Sequence, residues 1–234
     1  MSHELDRDSE SQPNTSPRRN FLGRLAAGTM AFAATSLFAK SANAMTNDNA
    51  FADDEPWLKG LAGKKHKQVF DGANINGGFP LIFASAYMNT MTATYKLAPT
   101  DVGALIVARH MGMPMLLNDA MWAKYHIGKM VGVNDPVTKA PAMRNLFYKS
   151  KEGDMMNIAA SADKLMAQGA ILAVCNVAMT VLSGMAAAEM KMKPELAYAD
   201  WKAGLLPGVH VAPSGVLAVG RAQEIGCTYC YGGG

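Results

Sequence analysis

Cysteine is scarce in this chain of 234 residues: Cys175, Cys227 and Cys230 are all it has. Three thiols cannot pair completely within one chain. At least one is therefore free, bridged to another molecule or a metal ligand. A four-thiolate zinc site would need a second C-x-x-C, which is absent. No His follows Cys230, so covalently attached c-type haem is not indicated. There is no G-x-G-x-x-G and no P-loop, so neither a dinucleotide nor a nucleoside triphosphate is suggested. Charge of one sign is also lacking. Lys and Arg number 22 against 19 Asp and Glu, a formal +3, and nucleic-acid binding would need a basic face. No apolar run reaches the roughly 20 residues of a membrane-spanning helix. Internal repeats and low-complexity tracts are missing as well.

What the first 44 residues do have is an order of segments. Residues 1–17 are polar. Arg18-Arg19-Asn20-Phe21-Leu22 follows, then an uncharged small and apolar stretch from Leu25 to Ala39, then Ala42-Asn43-Ala44. A basic region, a short apolar region and an A-x-A site form a secretory signal. The paired arginines before Phe-Leu resemble the twin-arginine (Tat) motif, an address read by a receptor, with Pro17 where that motif usually carries Ser or Thr. The expectation is a twin-arginine signal peptide over 1–44, export through the Tat translocase and a periplasmic protein starting near Met45. Without those residues 17 basic and 15 acidic side chains remain, and 16 of the 18 methionines.

Residues 45–65 read as an irregular N-terminal arm, and 66–234 as one α/β domain. Lys67 to Phe70 is a short strand, followed by a loop over 71–78. Pro80 to Tyr95 has helical spacing with Pro near its start. Gly103 to Ala108 is a continuous apolar run, the pattern of a strand buried on both faces. Leu116 to Ile127 reads as a helix ended by Gly128, and 131–153 as a long surface loop. Met155 to Gln168 is a helix stopped by Gly169. Ala170 to Val174 is a second buried strand, and helices over 176–190 and 195–203 follow. Val209 to Val211 is a short strand, Pro213-Ser214-Gly215 opens a helix to Glu224, and Thr228 to Tyr231 is the last strand. Strands alternating with helices predict a mostly parallel sheet with helices on both faces.

In such sheets ligands sit beyond the carboxyl ends of the strands. That edge gathers Asp71 and Asn74, Arg109 and His110, and Cys175 and Asn176. Cys175 lies at the start of a helix, where the dipole favours thiolate. It is the candidate nucleophile, with Asn74, Arg109 and Asn176 as candidate substrate contacts. His110 is the one imidazole placed to act as a base, and no full catalytic set is legible.

The residues that carry a family likeness are concentrated near the end. They are Ile171-Leu-Ala-Val-Cys175-Asn176, Leu205-Leu206-Pro207-Gly208-Val209-His210-Val211-Ala212-Pro213-Ser214-Gly215-Val216, and Arg221-Ala222-Gln223-Glu224-Ile225-Gly226-Cys227-Thr228-Tyr229. These resemble the C-terminal half of the DsrE/DsrF-like family. The likeness spans roughly residues 66–231 and is specific from 170 onward. It implies a flavodoxin-like three-layer fold, a homo-oligomer, and sulfur handling by a persulfide-carrying cysteine at the position of Cys175. A protein that donates or accepts sulfur is the partner it implies.

Two other motifs bear on function. Cys227-x-x-Cys230 follows a helix instead of opening one. On a strand its two thiols would face opposite ways. They enter as candidate resolving thiols, with Cys230 nearer the edge that carries Cys175. His110-Met111-Gly112-Met113-Pro114-Met115 concentrates an imidazole and three thioethers, a ligand set suited to Cu(I). Copper is therefore the candidate cofactor, although methionine also fills gaps in apolar cores. His210 reads as a core histidine. Trp122 and Tyr125, three apart on one predicted helix, read as a subunit contact.

Overall fold

The computed structural model describes residues 55–154 and 160–233. The signal-peptide reading of 1–44 and the start of the arm lie outside them. Described elements begin with helix α1 (Pro56–Ala62), strand β1 (His66–Gly72), helix α2 (Phe79–Tyr95) and strand β2 (Val102–Ala108). A 3₁₀ segment (His110–Leu116) leads to short helices α3 (Asp119–Lys124), α4 (Ile127–Val131) and α5 (Ala162–Ala167). Then come β3 (Ile171–Cys175), α6 (Asn176–Glu189), α7 (Pro194–Ala203), β4 (His210–Ala212), α8 (Gly215–Glu224) and β5 (Thr228–Tyr231).

The five strands pair in the order β4-β3-β2-β1-β5, and every pairing is parallel. The chain thus steps outward from β1 to β4 and then returns to the other side of β1. Right-handed crossovers put the connections of the outward run on one face and the return helix on the other. The packing agrees. Leu81, Trp122, Leu165, Met179 and Trp201, from the connections between β1 and β4, share one core with Phe70, Ile106 and Leu172. Trp57, Leu58 and Leu61 of α1 and Ala218 and Ala222 of α8 share the other with Val69, Leu105, Val107 and Ala173. This is a flavodoxin-like three-layer fold. β2 lies at the middle of the sheet and is buried along its whole length, as its unbroken apolar run predicts. Among the described residues no helix is long and apolar enough to cross a membrane.

Three local expectations need correction. The arm is not irregular throughout: Pro56–Ala62 is helical, because Trp57, Leu58 and Leu61 fall at helical spacing and bury against the sheet. The expected helix over 116–127 breaks in two. Leu116 ends the 3₁₀ segment, Asn118 caps α3 by accepting from Met121 N–H, and His126 takes a left-handed φ of 48°. The 131–153 segment is not only surface. Ala142, Leu146 and Phe147 are fully buried, and the Asn145 amide donates to the Met115 and Leu117 carbonyls at 2.8 and 2.6 Å. Of the helix expected over 155–168, 155–159 lie outside the described residues and Ala162–Ala167 is helical.

Candidate functional site

Alternation along a strand sends every second side chain to the same face. Val69 and Val107 belong to the α8-side core. Asp71 and Arg109, two positions further on, therefore point to that side at the carboxyl edge. The register pairs Ala108 with Val174, so Arg109 and Cys175 leave the sheet side by side. Gly215, the first residue of α8, is pressed against both. A Cβ placed on it would lie 2.5 Å from Arg109 Cβ and 3.0 Å from Cys175 Cβ. The missing side chain at 215 lets the start of α8 close over this pair.

Cys175 ends β3 and caps α6, and its Sγ accepts the Ala178 N–H at 3.3 Å. It is 6% exposed and belongs to the core that also holds Leu172, Val174 and Met179. The start of α6 supplies that amide, and Gly215 at the start of α8 packs on its Cβ; a helix start is in general a favourable place for negative charge. Asp71 is buried and grips Arg109 with both oxygens: Nε donates to Oδ1 at 2.6 Å and Nη2 to Oδ2 at 2.8 Å. The Tyr229 hydroxyl donates to the same Oδ2 at 2.9 Å. The bond to Asp71 holds the Arg109 guanidinium charged more firmly than usual, against burial, and Cys175 adds to that hold. Burial, and the bond to Asp71, push the Tyr229 hydroxyl up.

No family model matches the chain, and no curated protein is similar to it. A solved structure does align. It is a protein of unknown function from Methanobacterium thermoautotrophicum, 19% identical, covering 71% of this chain and 98% of its own, with a TM-score of 0.36.

The candidate residues named from sequence divide into two groups. Arg109 and Cys175 are brought together. Asn74 follows β1 at the same edge, and its carbonyl lies against Gly112. Asn176 opens α6, and its Oδ1 accepts from the Tyr198 hydroxyl at 2.7 Å. His110 is next to Arg109, with a left-handed φ of 46°, and is exposed. The resolving-thiol reading fails. β5 lies three strands from β3, about 14 Å at the usual strand spacing, and a disulfide needs Cβ atoms about 4 Å apart. As strand geometry predicted, Cys227 and Cys230 face opposite sides: Cys227 sits in the α8-side core and Cys230 packs against the other. All three cysteines are free thiols.

The copper loop is likewise reassigned. Residues 110–116 wind into a 3₁₀ segment, not an open loop. Met113 and Met115 are fully buried in the core, and Met111 packs against it. Those thioethers are spent on packing, not presented to an ion. Among the described residues no three His, Cys, Asp or Glu side chains gather as a metal site requires. Trp122 and Tyr125 are buried in their own chain, where Trp122 Nε1 donates to the Pro114 carbonyl at 3.0 Å and Tyr125 to Asp200 at 2.7 Å. They are therefore not a subunit contact. His210 is exposed on the edge strand β4 and stacks on Trp57 with ring centroids 6.0 Å apart; it is not a core histidine. A groove lined by Met88, Asn89, Thr92, Pro99, Val102 and Gln168 opens at the amino end of β2, the far end of the sheet from Cys175. Its lining includes no ionisable side chain.

Sequence reasoning missed Gly215 and Tyr229 as parts of the site. Alternation on β5 was the available signal for Tyr229. It pairs with Val69 and so shares the face of Asp71.

Proposed function

We propose that this chain handles sulfur through Cys175, as a persulfide carrier or thiol nucleophile on a DsrE/DsrF-like scaffold. One observation carries the reading: Cys175 ends a central strand, accepts a helix-start amide on its sulfur and stands beside Arg109. Helix starts are a recurrent setting for reactive cysteines. In the carrier step the Cys175 thiolate attacks the outer sulfur of a donor persulfide. The Sγ–S bond forms as the donor S–S bond breaks, and the donor leaves as a thiolate with that electron pair. The resemblance also supports assembly as a homo-oligomer and a thiol-bearing protein as sulfur donor or acceptor.

In reduced native protein Cys175 is expected to alkylate faster than Cys227 or Cys230 near neutral pH. Burial pushes both of those thiols up, and each unit of rise removes about nine-tenths of the thiolate. Cys175→Ser should fold yet hold no persulfide supplied by a donor. Site-resolved labelling decides the matter. If Cys175 reacts only on unfolding, it is a packing residue, and a non-catalytic binding module becomes the better reading.

The same proposal places the protein in the periplasm after twin-arginine export. Replacing Arg18 and Arg19 by Lys should leave precursor in the cytoplasm; fractionation that finds normal export of this double variant removes the Tat assignment.

A further inference from the structure

β5 is an edge strand that the fold leaves open. One side pairs with β1, and nothing among the described residues pairs with the other. The backbone directions along it follow from one bond: Gly232 N–H donates to the Asp71 carbonyl at 3.0 Å. Successive residues of a strand turn their N–H and C=O to opposite sides. Residues 228 and 230 therefore point toward β1, as 232 does, and Tyr229 and Tyr231 point outward. Of their four outward groups only the Tyr231 carbonyl has a partner among the described residues, the Cys230 thiol at 3.7 Å. Natural sheets blunt such edges with charge, proline, a bulge or a covering segment. β4, the opposite edge, has three residues, runs into Pro213 and carries His210 stacked on Trp57. β5 has neither charge nor proline, and its two tyrosines are 45% and 50% exposed.

We propose that this edge is a contact between two copies of the chain: β5 pairs antiparallel with β5 of a second copy, about a two-fold axis at Cys230. The register follows from the outward groups. Facing residues of an antiparallel pair exchange two bonds when their N–H and C=O point at each other. Tyr229 then faces Tyr231 of the second copy, Tyr231 faces Tyr229, and four backbone bonds form. Slipping two residues one way opposes Tyr231 to Cys227, whose N–H is given to the Ala222 carbonyl. Slipping the other way needs Gly233, which lies past the end of β5 and against the Tyr231 ring. No side chain of β5 is charged, so a second β5 meets no like charge, and the facing tyrosines make aromatic pairs across the seam.

Area decides how firm the contact is. A half-exposed tyrosine leaves about 100 Å² in water, so four rings cover about 400 Å², well short of the roughly 1,200 Å² at which stable interfaces begin. Strand pairing alone makes a weak dimer, and Cys230 can make it lasting. On the axis Cys230 faces its own copy as a non-bonded pair, with Cα atoms about 4.5 Å apart, within the span of a disulfide. An oxidant of the disulfide class, such as oxidised glutathione, completes the bridge. One Cys230 thiolate attacks it and expels a glutathione thiolate. The second copy's Cys230 thiolate then attacks the Cys230 sulfur of the mixed disulfide and expels the other. The two thiols lose two protons and two electrons, and the glutathione disulfide takes up the electrons. The inference is independent of the chemistry of Cys175.

The experiment treats the reduced full chain with oxidised glutathione at mildly alkaline pH, since burial pushes the Cys230 thiol up. Non-reducing electrophoresis and peptide mapping follow the product. A dimer bridged from Cys230 to Cys230 is expected, formed equally by Cys175→Ser and Cys227→Ser and lost in Cys230→Ser. Tyr231→Pro removes one outward N–H from each copy and no bond to β1. Two of the four seam bonds go, at about a factor of five each, so the bridge should form about 25-fold more slowly. Where circular dichroism shows that the proline variant does not fold, Tyr231→Lys replaces it and should also slow the bridge, by setting two like charges across the seam. Glutathione held at Cys230 with no Cys230–Cys230 bridge overturns the inference, as does a bridge that forms as fast in the Tyr231 variant. Should Cys230 take up no glutathione, sedimentation of the reduced chain over a concentration series decides. A dimer weakened by the Tyr231 variant supports the seam, and a monomer throughout overturns it and leaves the edge to a strand of another protein. A dimer that the variant leaves intact puts the contact on another face; it overturns this inference and not the homo-oligomer reading.

Discussion

Gly112→Ala is expected to cost about 3 kcal/mol of stability or more, the upper end of what one added methyl does to a packed site. A Cβ at 112 would lie 2.1 Å from the Gly72 carbonyl oxygen, 3.0 Å from the carbon of that carbonyl and 3.2 Å from the Asn74 oxygen. All three are backbone atoms, so no flexible side chain can swing away. The contact exists because the chain leaving β2 hooks back onto the end of β1. Gly112 N–H donates to the Ala73 carbonyl at 3.1 Å, and Arg109 N–H to the Gly72 carbonyl at 3.0 Å. Moving residue 112 outward would break those bonds and carry Arg109 off Asp71. Denaturant unfolding measures the effect, with Gly60→Ala as reference: nothing lies within 4 Å of a Cβ there, and an exposed helical Gly→Ala should be neutral or stabilising by up to about 1 kcal/mol. A Gly112→Ala protein as stable as that reference would show the hook to be dispensable.

Arg144→Ala should cost about 3 kcal/mol near neutral pH, the scale for leaving one partner of a buried ion pair alone. Arg144 forks onto both oxygens of Asp154, whose side chain is 1% exposed. The Lys151 N–H, at 2.8 Å, then remains as a donor to Asp154. This clamp closes the segment that carries Asn145 and Phe147 into the core. It also fixes a pH dependence. The bonds from Arg144 hold the Asp154 carboxyl below its ordinary range. A lowered native pKa contributes stability that is complete above the unfolded value and lost as pH falls through the native one. The gap between wild type and Arg144→Ala should thus be full at neutral pH and shrink in acid. Chemical denaturation across pH measures it, and a gap that widened in acid would contradict the assignment.

Much of the architecture was legible because its signals are local. The apolar runs at 103–108 and 170–174 marked the central strands, and Gly169 and Gly226 marked turns that do take positive φ. The carboxyl-edge rule then brought Arg109 and Cys175 to one place. What escaped depends on distant partners. Trp122 and Tyr125 looked like contact aromatics, since nothing nearby in sequence shows that Phe147 and Trp201 pack on their rings. Met113 and Met115 looked like ligands because burial has no sequence signature of its own in a short Gly/Pro segment. The order of the strands could not be read either. Without it, Cys230 seemed able to reach Cys175, and Tyr229 had no visible link to Asp71.

That order also dictates when the sheet can be completed during synthesis. Among the described residues β1 is the first strand made and β5 the last, yet they are neighbours; Gln68 faces Thr228, 160 residues away. A chain that has emerged only as far as β4 leaves one edge of β1 unpaired, with Asp71 still lacking the Tyr229 hydroxyl. Pairings this far apart in sequence are slow to form because the intervening loop must close first. The nascent chain therefore cannot finish this sheet until translation has passed residue 231, and β1 keeps an open edge until then.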